Sequence, residues 1–145
     1  MVQIHVERTI AAPVDAVFDW LADPASLTAA PAILRVRWAN GSPPLGLGAV
    51  REATCVGMWL REEYTAYDAP RSYSYRIVRA IPATEHDGGT LTFTPTADGT
   101  HVDWHTAFTH PAWVGGTVLE AVTGRAIRSS FEAILAGCAK ALEKS

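Results

Sequence analysis

Short alternating runs of apolar and polar residues dominate the first three quarters of the chain. Val2, Ile4 and Val6 alternate with polar neighbours, which is the period-2 pattern of a strand with one buried face. Six further runs predict strands at about residues 34–38, 48–54, 58–68, 72–80, 90–96 and 100–109. Helical spacing from about residue 13 to residue 22, and a short segment from Pro24 to Ala30, predict two short helices after the first strand.

The last stretch, residues 117–145, has the helical period instead. Leu119, Ile127 and Phe131 belong to one apolar face of a predicted long amphipathic helix. Thr117 and Glu120 match the S/T-x-x-E capping box, which predicts Thr117 as the N-cap. A single helix lying across a curved antiparallel sheet leaves a hollow between them, so this order of elements predicts a cavity.

The predicted hairpin turns sort the strand residues into two faces. Asp98-Gly99 suits a two-residue turn that pairs Ala97 with Thr100, because both turn positions must tolerate positive φ. A loop over residues 68–71 pairs Tyr64 with Tyr75. The aromatic residues assigned to the inner face are Trp38, Tyr64, Tyr73, Tyr75, Phe93, Trp104 and Phe108. Such a face suits either a pocket for an aromatic or polycyclic ligand or an ordinary packed core.

Two charged residues are predicted on the same inner face. A turn at Val56-Gly57 places Arg51 directly opposite Glu62. Charges on an apolar face are costly unless they pair or meet water or a polar ligand. The two groups are therefore interpreted as a ligand-facing pair or as a structural ion pair, and Glu62 could also act as a general base.

The spacing of the histidines along the chain does not predict a metal site. His101, Asp103 and His105 lie on the outer, threonine-rich face of one strand, where alternate residues are about 6.5–7 Å apart. That spacing is too wide for one ion, so these residues are interpreted as solvated surface. His86 and His110 fall in predicted loops, at 82–89 and 110–116, where either could border the cavity mouth.

Composition narrows the class of protein. A chain of 145 residues is the size of one domain, and 48% hydrophobic with 19% charged residues is typical of a globular protein. The net charge of −3 offers no basic footprint for nucleic acid, and no stretch approaches the apolar length of a membrane span. Cys55 and Cys138 are interpreted as buried thiols. A cytoplasmic protein without a cofactor is expected, either as a monomer or as a homodimer.

Several segments resemble the START-like, SRPBCC superfamily, and its polyketide cyclase/dehydrase and lipid-transport group in particular. These are Ile10–Pro24, Tyr67–Arg71 and Gly99–Trp104, and the resemblance extends over the whole chain, 1–145. It implies one domain with an α+β helix-grip fold, in which a seven-stranded curved antiparallel sheet wraps around a long C-terminal helix. The superfamily includes carriers, receptors and aromatase/cyclases, so no catalytic residue is assigned by this resemblance.

Two functions follow from these expectations. The first is binding or carriage of a small hydrophobic molecule, such as a lipid, polyketide or aromatic metabolite, with the seven aromatics, Arg51 and Glu62 around it. The alternative is a polyketide aromatase/cyclase-type enzyme that promotes aldol cyclisation or dehydration in the same cavity, where orientation of a flexible chain would supply much of the rate. The sequence favours the first, because it assigns no histidine to the inner face.

Overall fold

The computed structural model describes residues 1–143. The strands in this part of the chain are β1 (Val2–Ile10), β2 (Ile33–Trp38), β3 (Val50–Cys55), β4 (Met58–Asp68), β5 (Ser72–Ile81), β6 (Glu85–Thr96) and β7 (Gly99–Thr109). The α-helices are α1 (Val14–Ala22) and α2 (Gly116–Leu142), and short 3-10 helices cover Pro24–Ala29 and Ala112–Val114. The last two residues of the predicted helix 117–145 lie outside the described residues.

The strands form one curved antiparallel sheet in the order β1-β7-β6-β5-β4-β3-β2. Together with the short helices after β1 and the long C-terminal helix, this sheet confirms the α+β helix-grip fold. The core lies between the inner face of the sheet, α1 and the second half of α2. There, the ring of Phe18 meets Phe93 edge-on at a centroid distance of 5.0 Å and Tyr73 at 5.8 Å.

The registers that define the inner face are confirmed on three strands. Arg51 of β3 is the partner of Glu62 of β4, and Tyr64 of β4 is the partner of Tyr75 of β5. Nearer the β4–β5 turn, the expected pairing fails by one residue because β4 bulges between Tyr64 and Ala66. The bulge lies beyond the charged pair and therefore leaves the inner face intact there.

The β6–β7 hairpin differs from its prediction by two residues. Thr96 pairs with Gly99, so the two turn residues are Ala97 and Asp98. Gly99 instead begins β7 with a φ of +142°, and a side chain there would collide with the carbonyl oxygen of Ile10. Because a two-residue shift preserves the alternation, the aromatic residues remain on the inner face.

Two other local expectations are wrong. The predicted loop 82–89 is strand from Glu85 onward. The capping box does not form either: Gly115 is the N-cap of α2, and the Glu120 carboxylate accepts a hydrogen bond from the backbone N–H of His110 at 3.1 Å. The glutamate thus ties the end of the β7 segment to the helix rather than closing the helix on itself.

Candidate ligand-binding cavity

A cavity of about 260 Å³ lies between the sheet and the first half of α2. The strand side is formed mainly by β4, β5, β6 and β7, and the helix side by residues 119–131. The residues that line it are Ala32, Ile33, Cys55, Val56, Gly57, Met58, Leu60, Glu62, Tyr75, Ile77, Pro82, Thr84, His86, Thr106, Phe108, Leu119, Val122, Thr123, Ala126, Ile127, Ser130 and Phe131. Val56 and Val122 line the cavity and are also well exposed, so the cavity reaches the surface between the β3–β4 turn and α2.

The cavity has a carboxylate group in its wall, that of Glu62. Glu62 lines the cavity, whereas Arg51 lies behind it and is only 1% exposed. Arg51 Nε donates to Glu62 Oε1 at 2.9 Å. Burial by itself would lower the pKa of Arg51, but attraction to Glu62 and the neighbouring tyrosines raises that pKa above its ordinary value. Arg51 is therefore positively charged, and the Glu62 carboxylate lies on the cavity side of it.

The second carboxylate oxygen of Glu62 is available to a ligand. Within residues 1–143, Oε2 accepts no hydrogen bond, and every buried side-chain nitrogen or oxygen has a partner. Oε2 is therefore not enclosed by protein, and the cavity is the space beside it. A carboxylate accepts only, so it fits a ligand that carries a hydroxyl, amine or other donor.

Tyrosine hydroxyls hold this arrangement against α1. Arg51 Nη1 donates to Tyr64 Oη at 2.9 Å, and that hydroxyl donates to the Ala22 carbonyl at 3.1 Å. Tyr73 donates to the Leu21 carbonyl at 2.9 Å. These bonds fasten the end of α1 to the sheet and orient the guanidinium from behind.

Tyr75 is the tyrosine that lines the cavity. Its hydroxyl accepts a hydrogen bond from Trp104 Nε1 at 2.9 Å, and burial raises its pKa above the ordinary value. Gly89, its register partner on β6, makes room for the ring, because a Cβ at that position would overlap the Tyr75 ring atoms. The hydroxyl of this lining residue therefore stays protonated at neutral pH.

The structure distributes the nine residues expected at the ligand site over four positions. Glu62, Tyr75 and Phe108 line the cavity. Arg51, Tyr64 and Trp104 lie behind the wall, Trp104 stacking on the lining residue Phe131 at 3.8 Å. Tyr73 and Phe93 pack beneath α1, and Trp38 is 37% exposed with its ring 5.9 Å from that of Tyr64. Whether these residues bind a ligand stays a prediction.

His86 is an inner-face strand residue that the sequence pattern placed in a loop at the cavity mouth. It lies in β6 opposite Phe108, is buried, and lines the cavity. Gly88 and Gly89 interrupt the apolar alternation, so the sequence pattern predicts a loop where the structure has a strand. Strict alternation from Phe93 and Leu91 would put Asp87 on the inner face, and it is the bulge between His86 and Gly88 that brings His86 opposite Phe108 instead.

Both ring nitrogens of His86 are engaged by the protein. The backbone N–H of Ile77 donates to Nδ1 at 2.9 Å, so the ring proton is on Nε2, which donates to Thr106 Oγ1 at 2.6 Å. Burial lowers the pKa of His86, and the nearby Glu62 charge only partly opposes this effect. His86 is therefore a neutral ring that fixes Thr106 in the wall, with no nitrogen free to accept a proton.

The other missed part of the wall is the helix. Leu119, Thr123, Ser130 and Phe131 of α2 line the cavity, whereas all the residues expected at the ligand site lie on strands. Cys55 also lines it, and burial raises the pKa of that thiol to about 11, which keeps it protonated at neutral pH. The thiol is thus a lining group without thiolate reactivity.

A sheet that grips a long helix around a partly open, largely apolar cavity defines a START-like protein. The chain belongs to the family described as polyketide cyclase / dehydrase and lipid transport, whose model matches residues 1–143. A comparison with curated proteins found no match.

Solved structures share the fold at low sequence identity. A protein of Thermus thermophilus is 19% identical, with a TM-score of 0.75 over 96% of this chain and 95% of its own. A protein of Chromobacterium violaceum is 14% identical, with a TM-score of 0.71 over the whole of both chains. Ara h 8.0201 is 16% identical, with a TM-score of 0.58 over 92% of this chain and 98% of its own. Within the described residues, no helix has the length and apolar character needed to cross a membrane.

Proposed function

We propose that this protein binds or carries a small, mainly apolar molecule, and that Glu62 anchors a donor group of that molecule. The observation that carries the proposal is a 260 Å³ cavity with an apolar wall and one carboxylate oxygen that the protein leaves unbonded. Burial of hydrocarbon against residues such as Leu60, Ile77 and Ile127 would supply affinity, at about 25 cal/mol per Å². The single charged anchor would supply orientation.

The cavity size indicates which members of that class fit. It is larger than the roughly 150 Å³ that holds a benzene ring in an engineered apolar cavity, and slightly smaller than the roughly 300 Å³ at which drug-sized pockets begin. A molecule with one or two rings, or a short chain, matches this space. A two-chain lipid would have to leave much of its hydrocarbon outside.

Two neighbouring serines of α2 allow a matched test. Ser130 lines the cavity, whereas Ser129 is exposed on the same helix. 1-Naphthylamine, a neutral two-ring fluorescent probe, is expected to bind one per chain with micromolar affinity in a fluorescence titration. Ser130→Phe should weaken binding at least tenfold because the new ring occupies the cavity, while Ser129→Phe should leave binding unchanged. Absence of binding, or equal binding by both variants, would refute the proposal.

The enzyme alternative is favoured by one feature: the same cavity is lined by Glu62, whose Oε2 is free, and by Tyr75, whose hydroxyl is protonated. A carboxylate base and a phenolic donor are the two groups that an aldol cyclisation would use to remove a proton and polarise a carbonyl. His86 does not strengthen this alternative, since both its nitrogens are engaged. Carriage therefore remains the first proposal.

Glu62→Gln separates the two functions. If the protein is a cyclase, this variant should lower the rate of cyclised product formation from a poly-β-keto thioester by about 100-fold or more, measured by mass spectrometry. It should still bind the naphthylamine probe, because Gln keeps the shape and can accept from Arg51. Glu52→Gln on the outer side of β3 is the control. Equal turnover by all three proteins would exclude a catalytic role for Glu62.

A further inference from the structure

A cluster of imidazole and carboxylate groups lies on the outer face of the sheet, remote from the cavity. β1 pairs with β7 so that His5 lies opposite His105, Glu7 opposite Asp103, and Thr9 opposite His101. Three of the five histidines in the chain and two carboxylates therefore share one patch. Cross-strand neighbours are about 4.5–5.5 Å apart, whereas alternate residues along β7 alone are about 7 Å apart.

The potential ligand atoms in this patch are close to one another. Those of His5, Asp103 and His105 all lie within 4.8 Å of each other, as do those of Glu7, His101 and Asp103. His5 Nε2 is 3.0 Å from Asp103 Oδ1 and 3.1 Å from Glu7 Oε2. The rings of His5 and His105 are stacked at 3.9 Å with a 4° angle between their planes.

These distances suit a small divalent ion. Zinc bonds of about 2.0–2.2 Å place tetrahedral ligand atoms about 3.3–3.5 Å apart. The His5–Asp103 and His5–Glu7 contacts therefore need to open by only a few tenths of an ångström to admit the ion. All five side chains are exposed or half-buried, so hydrated ions can reach them.

The charges of this patch also favour binding of a cation. Within residues 1–143, the ion-pair partners of Glu7 and Asp103 are histidines, and no lysine or arginine lies within salt-bridge distance of either carboxylate. An arginine does contact the backbone of the patch, since Arg128 Nη1 donates to the carbonyl of His5 at 3.1 Å. The two carboxylates thus lack a permanent counter-charge that a metal ion would supply.

We propose that His5, Asp103 and His105 bind one divalent transition-metal ion, with water completing its coordination. Imidazole and carboxylate together favour zinc, copper or nickel over the hard cations magnesium and calcium. His101 acts as a positioning residue: its Nδ1 is held by Thr9 Oγ1 at 2.9 Å, and its Nε2 lies 3.7 Å from Asp103 Oδ2. The ion would fasten the edge strand β1 to β7, independently of any ligand in the cavity.

The test is calorimetric titration of the untagged full chain with zinc chloride, followed by the visible absorption spectrum of the cobalt(II) form. One zinc per chain with micromolar affinity is expected, and tetrahedral cobalt bands should appear. His5→Ala and His105→Ala should each weaken zinc binding about 100-fold or more, whereas His101→Ala should weaken it about tenfold. Magnesium should give no binding heat.

A matched control is Glu85→Gln, which removes an exposed carboxylate from the neighbouring strand β6. It should bind zinc like the unmodified protein. The proposal fails if zinc produces no binding heat at millimolar concentration, or if His5→Ala and His105→Ala bind as tightly as Glu85→Gln. It also fails if magnesium binds equally well, which would indicate only an attractive acidic surface.

Discussion

Arg51 is the residue on which the orientation of Glu62 depends. It is 1% exposed, and its guanidinium contacts Glu62 Oε1 and Tyr64 Oη, both at 2.9 Å. Its carbon Cζ also lies 5.1 Å from the centroid of the Tyr64 ring and 5.2 Å from that of Tyr75, within the range of cation–π attraction. Removing one member of such a buried pair is strongly destabilising, because the other charge stays buried without a partner.

Arg51→Met is expected to lower the free energy of unfolding by about 3 kcal/mol or more, because it leaves a carboxylate without its buried partner. Urea denaturation followed by tryptophan fluorescence measures this change. Arg37→Met is the control, since Arg37 forms a 3.4 Å pair with Glu52 at the surface and should cost less than about 1 kcal/mol.

The double variant Arg51→Met with Glu62→Met tests whether the two charges depend on each other. Replacing both charges by apolar groups of similar size should recover most of the lost stability. It should also abolish any preference of the cavity for ligands with a donor group. If Arg51→Met and Arg37→Met are equally mild, the pair is not the buried interaction described above.

At the scale of elements, α2 has two different halves. Four of its buried residues, Ile134, Leu135, Cys138 and Ala139, belong to the second half, whereas Glu120 is the buried residue of the first. The first half lies over the cavity instead of over packed side chains. A helix segment with few buried contacts opens locally more often than one anchored in a core.

Hydrogen–deuterium exchange with mass spectrometry is expected to separate these halves. Amides in residues 120–131 should exchange at least about tenfold faster than those in 132–142, because local opening costs less there. Saturating naphthylamine probe should slow the first half selectively, since the probe would supply the missing contacts. Uniform exchange along the helix, or protection of the second half alone by the probe, would contradict this account.

Elements with a clear period were predictable from the sequence, and those defined by distant partners were not. The β3–β4 pairing of Arg51 with Glu62 follows from one glycine turn and strict alternation. The start of α2 does not follow from its capping box, because Glu120 bonds to His110 instead. The pairing of β1 with β7 was not predictable either. The two strands lie near opposite ends of the chain, and no local sequence signal identifies such a distant partner.

At the scale of the whole molecule, the fold was predictable but the division between core and cavity was not. Tyr73, Tyr75 and Phe93 have the same parity and the same apolar character, yet only Tyr75 lines the cavity. The difference is set by where α1 ends and by the missing side chain at Gly89, which lets the Tyr75 ring lie close to β6. Such packing depends on three-dimensional neighbours that a periodic pattern does not encode.

The Arg51–Glu62 pair has one further consequence for the molecule. Its positive end lies in the protein interior and its negative end on the cavity wall, so it is a fixed dipole aimed at whatever enters. A ligand with a hydrogen-bond donor at one end and hydrocarbon at the other would bind in a single orientation in that field. With Tyr75 and Phe108 shaping the remaining walls, left- and right-handed forms of one chiral guest would then present different groups to the same surface, and the protein would distinguish them.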